Sequence, residues 1–374
     1  MVWSLVADTV PLYPLYALLF ADAGLSDADV SALLAVWSVT AVLAEVPSGA
    51  LADRFSRRAA LVAAGVLQAL AYVLWTALPG VPAFAAGFVV WALGGALVSG
   101  AFEALLHDGL SAAGAAGQFG RVYGWVSAGE LVSQLPTALL AAGLYAVGGF
   151  PLVGWASVAG CLVAAGLAAR LPEARRPTAA GPDDADDDPG WWAVLRSGVA
   201  EAVHRPPVRA AVLFVVLLGG LDAVEEYFPL LARDWGVPVA LTPLAVLGIP
   251  LAGAAGAALG GRAVRWRPRT LTAVLACSGA SLLGAALLGV APGLVAVAAG
   301  YALYRLVLVV AESRLQAAIE GPARATVTSV AGVGVELAAL VVFGAYALGG
   351  LGAVAVLSLV LAATLPRLLP RAPQ

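Results

Sequence analysis

Gly49-Ala50-Leu51-Ala52-Asp53-Arg54-Phe55-Ser56-Arg57-Arg58 stands between two long apolar runs and brings together an aspartate and three arginines. A run of about 20 mainly apolar residues is long enough to cross a bilayer, and arginine concentrates in loops on the cytoplasmic side. The decapeptide therefore reads as a short inner turn joining two membrane spans. Composition agrees with that reading. Of 374 residues 61% are hydrophobic and only 11% are charged, whereas soluble domains carry roughly 25% charged residues. So few charges cannot clothe a water-soluble surface, so lipid must be the main solvent.

On both sides of this turn, Gly, Pro and charged clusters mark further ends. Spans are expected near Val2–Ala21, Val30–Ala52, Ala59–Leu78, Pro82–Leu106, Phe119–Val147 and Phe150–Leu171. A polar break follows, and then spans near Val208–Leu231, Val239–Val264, Leu271–Val290, Gly293–Ala318, Ala323–Leu348 and Gly350–Leu365. The expected fold class is thus an all-α polytopic membrane protein of twelve helices. Its parts are an N-terminal six-helix bundle (1–171), a cytoplasmic linker (172–207) and a C-terminal six-helix bundle (208–374). Arginine alternates by loop: Arg54, Arg57, Arg58 and Arg121 in the first half, Arg170 to Arg209 between halves, then Arg262 to Arg269, Arg314, Arg324, Arg367 and Arg371. The opposite loops hold only Arg233, so both termini are expected on the cytoplasmic side.

The linker carries the acidic run Asp183-Asp184-Ala185-Asp186-Asp187-Asp188, read as a solvated spacer. After it, Trp191, Leu195, Val199 and Val203 share one face, the pattern of a helix lying in the headgroup layer. The first run carries Asp8 and lacks a basic start or a small-residue cleavage site, so it reads as a retained span and not a signal peptide. All basic residues are arginine, a bias that suggests a GC-rich bacterial genome and hence a bacterial cytoplasmic (inner) membrane. Cys161 and Cys277 stand apart, which excludes a disulfide framework or thiolate metal site, and His107 and His204 lack a second histidine at ligand spacing. No metal and no cofactor are expected. No phosphate-binding loop, nucleic-acid signature or Ser-His-Asp set is present, so the chain reads as a non-enzyme.

The halves repeat each other. Asp8, Tyr13-Pro14-Leu15 and Asp22-Ala23-Gly24 recur as Asp222, Tyr227-Phe228-Pro229-Leu230 and Asp234-Trp235-Gly236. Glu103-Ala-Leu-Leu106 recurs as Glu312-Ser-Arg-Leu315, and each is followed by an arginine (Arg121; Arg324) and a glutamate (Glu130; Glu336). Parallel six-helix repeats place a transport site at the bilayer midplane between halves.

The decapeptide resembles the G-x-L-A-D-R-x-G-R-R signature of the major facilitator superfamily and departs from it at Ser56, where the pattern favours glycine. The resemblance covers the whole chain. It implies a cytoplasmic gate motif at Gly49, Asp53, Arg54, Arg57 and Arg58 that latches the halves, with Asp53 meeting the N-terminus of span 11 near Ala323. Gly49 would allow the close helix approach. Glu45, Glu103, Asp108, Glu312 and Arg324 are expected to support the gate. The equivalent stretch after span 8, Gly260-Gly261-Arg262-Ala-Val-Arg265, lacks the aspartate. The helix-4 arginine of many members is replaced near Trp91, and the glycine-proline motif of drug antiporters in helix 5 is absent.

Ionisable groups inside spans cost several kcal/mol unless paired or solvated, and they mark pathways by default. The candidate substrate and proton pathway is Asp8, Tyr16, Glu130, Asp222, Glu225, Glu226, Arg305 and Glu336. Asp222, Glu225 and Glu226 are spaced for adjoining helix faces, and Tyr16 is expected on the face of Asp8 two turns along. Arg305 either serves the pathway or neutralises Glu336 or Asp222 as a structural pair. Glu225 and Glu226 either line the pathway or reach external water. Tyr13, Tyr16, Tyr123 and Trp125 either stack on a substrate or pack. Crowded carboxylates in low dielectric cannot all ionise, which suits proton coupling. The resulting expectation is a monomeric secondary transporter in the lipid bilayer, exporting a small cationic or neutral amphiphilic molecule in exchange for protons. The alternatives are a proton symporter for uptake and a non-transporting receptor on the same scaffold.

Overall fold

The structure, a computed structural model, describes residues 2–54, 56–173, 205–319 and 324–368, with side chains throughout except at 46, 48–54, 100, 116, 207 and 324–326. The acidic run at 183–188 and the expected headgroup helix around Trp191–Val203 lie outside these residues. Every regular element among the described residues is helical. In chain order they are α1 (Val2–Asp8), α2 (Tyr16–Asp22), α3 (Asp27–Arg54), α4 (Arg57–Ala77), α5 (Val81–Ala112), α6 (Phe119–Ala168), α7 (Pro206–Gly220), α8 (Phe228–Asp234), α9 (Thr242–Ala263), α10 (Pro268–Leu288), α11 (Gly293–Ala318) and α12 (Arg324–Leu368). Nine stretches among the described residues are long and apolar enough to cross a membrane.

The helix ends follow from side-chain chemistry. Before α3, the Ser26 hydroxyl accepts from the Asp29 N–H while the Asp29 carboxylate accepts from the Ser26 N–H at 2.9 Å, a reciprocal capping box. Ser56 caps α4 by accepting from the Ala59 N–H at 3.0 Å, which gives a local reason for serine at that position. α6 and α12 are each too long for one crossing, and each bends at glycine: Gly149 (φ 62°) and Gly350 (φ 57°). Both bends fall where the sequence separates adjacent spans.

The first span departs from expectation. It is not one helix: α1 ends at Asp8, and a tight 3-10 turn at Tyr13–Leu15 precedes α2. Pro11 and Pro14 cannot donate to a helical ladder. The exposed backbone is answered from elsewhere, because the Leu12 N–H donates to the buried Ser157 hydroxyl of α6 at 2.9 Å. The seventh span breaks at the equivalent place. Between α7 and α8, residues Leu221–Tyr227 wind as a 3-10 helix. Seven residues is long for this geometry, and a 3-10 stretch inside a longer helix often marks a functional hinge. Each repeat then closes with a glycine at positive φ, Gly24 (91°) and Gly236 (89°).

Contacts divide the chain into two compact units, residues 1–177 with 237–247, and residues 178–236 with 248–374. In the first, α4 packs on α5 and α6, α3 on α5, and α1 on α6. Phe20, Tyr72, Trp75, Phe84 and Phe88 form its buried aromatic core. In the second unit α10 packs on α11 and α12, and α7 on α12 and α11. Small residues set the close approaches. A Cβ at Gly220 would lie 2.6 Å from the Ala338 Cβ, and one at Gly256 would lie 2.0 Å from the Ala302 carbonyl oxygen.

That last contact is against backbone, which cannot swing aside. Gly256→Leu is expected to lower the thermal stability of the detergent-solubilised protein by about 1–3 kcal/mol, as overpacking does. Gly261→Leu, which points into open space, should change it little. Equal melting temperatures for the two variants would contradict the α9–α11 packing.

Candidate functional site

The broken seventh span meets α11 in a polar network. At three residues per turn, positions i and i+3 eclipse, so the 3-10 winding stacks Asp222 directly under Glu225. Both then reach one tyrosine: the Tyr301 hydroxyl lies 2.8 Å from Asp222 Oδ1 and 3.2 Å from Glu225 Oε2. One turn along α11, Arg305 Nη1 donates to Asp222 Oδ2 at 2.7 Å, with both side chains about a third exposed. Tyr304 completes the face by donating to the Leu218 carbonyl at 3.0 Å, in the last turn of α7.

Of the two partners open to Arg305, the structure gives Asp222. It also changes the expected arrangement of the three carboxylates, which do not lie on adjoining faces of an α-helix, because the segment is overwound. Asp222 and Glu225 share Tyr301, whereas Glu226 sits one position further round. Tyr301 and Tyr304 were not singled out from sequence, although Tyr301-x-x-Tyr304-Arg305 puts all three on one helical face. Glu336 lies on α12 between Val335 and Ala338, which press against Gly219 and Gly220 just before the 3-10 segment. Glu312 stands seven residues beyond Arg305 on α11 and is exposed.

In the first unit, Asp8 closes α1 and Glu130 follows Gly129 on α6. Leu5 of α1 stands over Gly129, 3.2 Å from where its Cβ would be, which brings the two acidic residues to the same contact between α1 and α6. The Tyr123 hydroxyl donates to Glu103 at 2.7 Å. Tyr16 is not on the face of Asp8. The break at residues 9–15 ends the helical phase, and Tyr16 is buried at 4% exposure, with its ring against Phe20, Trp75 and Phe88.

Part of the gate motif lies within the described side chains. Arg57 is ion-paired with Asp108 and donates to the Ala104 carbonyl at 2.9 Å, fastening the turn to α5. Glu45 accepts from the Ser99 hydroxyl at 3.0 Å. Ser56 also donates to Glu173 at 2.7 Å, and the Arg58 guanidinium lies 3.9 Å from the same carboxylate. Burial pushes the Glu173 carboxyl up. The Ser56 hydroxyl, the Arg57 and Arg58 amides and the Arg58 charge outweigh it and hold the group below the usual carboxylate range. The side chains of Asp53, Arg54 and Arg324, and the surroundings of Gly49, lie outside the described set. In the second unit, where the motif is eroded, α11 supplies the cation. Arg314, 1% exposed, donates to the Val264 carbonyl at 2.9 Å and the Trp266 carbonyl at 2.6 Å. No cluster able to hold a metal ion occurs among the described residues.

Comparison with known proteins agrees with this architecture. A family model described as Major Facilitator Superfamily matches residues 2–357. Among solved structures, a D-xylose-proton symporter is 15% identical with a TM-score of 0.72, over 99% of this chain and 96% of that one. The nucleoside transporter NupG is 13% identical with a TM-score of 0.72, over 98% and 95%. A bacterial homolog to the human lysosomal transporter Spinster is 17% identical with a TM-score of 0.74, over 98% and 94%. No curated protein matches the chain. At these identities the structural likeness establishes the fold.

Two expectations follow from the described contacts. Arg305→Gln leaves Asp222 with Tyr301 but without its cation and should cost about 1–3 kcal/mol, less than a fully buried pair would. Adding Asp222→Asn should return much of that loss, and a double-mutant cycle of melting temperatures measures the difference. Glu173 is held low, so its contribution is present at neutral pH and fades as pH falls through and below about 4. Glu173→Gln should remove that part of the acid sensitivity and cost at most about 1 kcal/mol at pH 7, as read from unfolding curves across that range.

Proposed function

Because this chain belongs to the major facilitator superfamily, we propose that it is a secondary transporter that exports a small cationic or neutral amphiphilic organic molecule in exchange for protons. The observation that carries the reading is the Asp222–Tyr301–Glu225 arrangement beside Arg305. One hydroxyl proton faces two carboxyl groups, and Arg305 balances one negative charge. A single additional proton shared by the carboxyls satisfies all three groups, and its departure frees a negative charge inside the span. That change of charge is what coupling requires: an organic cation and a proton can compete for the same carboxylates. Glu130 with Asp8 in the first unit, and Glu336 beside the 3-10 segment, supply further acidic positions along the route.

The remaining parts of the reading rest on the sequence. Twelve spans are reached when α6 and α12 are divided at their glycine bends and Pro206–Asp234 is taken as one interrupted crossing. The bundles are 1–171 and 208–374, joined by the 172–207 linker. Both termini face the cytoplasm of a bacterial inner membrane, the protein acts as a monomer, and the proton gradient takes the place of a cofactor. Gly49, Asp53, Arg54, Arg57 and Arg58 form the cytoplasmic gate. Uptake by proton symport is the second reading, favoured by the likeness to a D-xylose-proton symporter.

Proteoliposomes loaded with a pH dye and challenged with cationic, zwitterionic and neutral compounds test the proposal. A cationic or neutral compound is expected to trigger proton movement that Asp222→Asn abolishes and that Glu130→Gln or Glu336→Gln reduces at least about tenfold. Accumulation of the compound along an imposed proton gradient, instead of against it, would select symport. Unchanged flux and pH dependence in all three variants would overturn the carboxylate mechanism.

A further inference from the structure

The aromatic core of the first unit does not end in the interior. From buried Trp75 and Phe88 it continues to Trp91, whose ring centroid is 6.3 Å from each. Trp91 in turn contacts Trp37 at 5.8 Å and Tyr13 at 6.1 Å. These last rings leave the core: Tyr13 is 42% exposed, and Trp37 and Trp91 are half-buried. Three elements contribute one ring each, namely the broken first span, α3 and α5.

Their depth matters more than their number. Trp37 lies ten residues into α3, which starts at Asp27, and Trp91 lies ten residues into α5, which starts at Val81. At 1.5 Å per residue that is about 15 Å, half of a hydrocarbon core about 30 Å thick. Tyr13 stands in the middle of the Val2–Asp22 run. Tryptophan and tyrosine gather at the two membrane interfaces, where their polar edges meet headgroups and water. A trio at mid-depth is not part of such a belt.

Charge then narrows what the trio would receive. Asp8, five residues before Tyr13, and Glu130 are acidic residues beside the Leu5–Gly129 contact of α1 and α6. The described arginines of this unit, Arg54, Arg57, Arg58, Arg121 and Arg170, all lie at span ends. Electron-rich ring faces in a span that carries a carboxylate five residues from Tyr13 favour an organic cation, above all one whose charge is spread over methyl or aryl groups and is cheap to desolvate.

We propose that Tyr13, Trp37 and Trp91 form the receiving surface for the aryl or quaternary-ammonium part of an organic cation. The proposal deepens the transport reading and rests on it for the occupant's role, but the binding step requires no gradient. Asp8 and Glu130 supply long-range attraction, and the rings supply contact. An anion of the same shape would meet the ring faces and the carboxylates with the wrong sign.

The test is equilibrium binding to the full chain in detergent, using tetraphenylphosphonium and its equal-sized anion tetraphenylborate. Saturable binding of the phosphonium is expected, with the borate at least about tenfold weaker. Trp91→Leu and Trp37→Leu should each weaken the phosphonium by about tenfold, the size of one desolvated cation–π contact. Trp91→Phe, which keeps a π face, should lose less. Tyr13→Leu, at the most exposed of the three rings, guards against a folding defect and should also weaken binding. Equal affinity for the two ions, no saturable phosphonium binding, or unchanged affinity in Tyr13→Leu and Trp37→Leu would each overturn the site and leave a purely packed aromatic core. The two readings fail separately. Ring-dependent binding without proton movement sinks only the exchange mechanism, and proton-coupled transport that is indifferent to the ring variants sinks only this surface.

Discussion

Hydrocarbon offers no hydrogen-bond partner, so every break in a membrane helix must be answered by another part of the protein. This chain breaks its first and seventh spans at matching places, and much of its interior is arranged around those breaks. Ser157 on α6 satisfies the Leu12 N–H beside the first. At the second, overwinding keeps the backbone bonded internally, and Tyr304 adds a donor to the Leu218 carbonyl where α7 gives way to the 3-10 turn. Glycines at 219 and 220 then bring α12 against the weakened region, so that packing supports what the backbone ladder does less well.

The same breaks position the charges. An α-helix would spread Asp222, Glu225 and Glu226 around an arc, whereas the 3-10 turn stacks the first two and presents them together to Tyr301. Arg305 follows from that choice, since it is one helical turn from Tyr301 and reaches the oxygen of Asp222 that the tyrosine does not. In the first unit the break does something different. It ends the helical phase after Asp8, sends Tyr16 into the aromatic core and leaves Tyr13 at its edge. Two matching interruptions thus yield a carboxyl–tyrosine–arginine network in one repeat and an exposed edge of the aromatic core in the other.

The turns that precede α4 and α10 show a comparable exchange of roles. In the first, Arg57 at the start of α4 docks onto α5 through Asp108 and the Ala104 carbonyl. In the second, where the turn has lost its aspartate, Arg314 of α11 holds the turn by its carbonyls. A guanidinium with several donors in a fixed plane can hold either a carboxylate or a pair of backbone oxygens, so either direction of docking fastens the loop.

Apolar length, the all-helical class and the span boundaries near 149 and 350 were legible in the residues, because each depends on local composition and on transfer into lipid. Asp108 could be placed near the arginine-bearing turn for the same reason. The sequence could not disclose that residues 9–15 and 221–227 leave the α-helix, since prolines and paired glycines permit such a break without requiring it. It could not say that Arg305 meets Asp222, that Tyr301 bridges two carboxyls, or that Tyr16 is buried while Tyr13 is exposed. Those outcomes depend on the phase of each helix after its break. That phase is set by neighbours such as Ser157, Ala338 and Trp75, far away along the chain and adjacent only once it has folded.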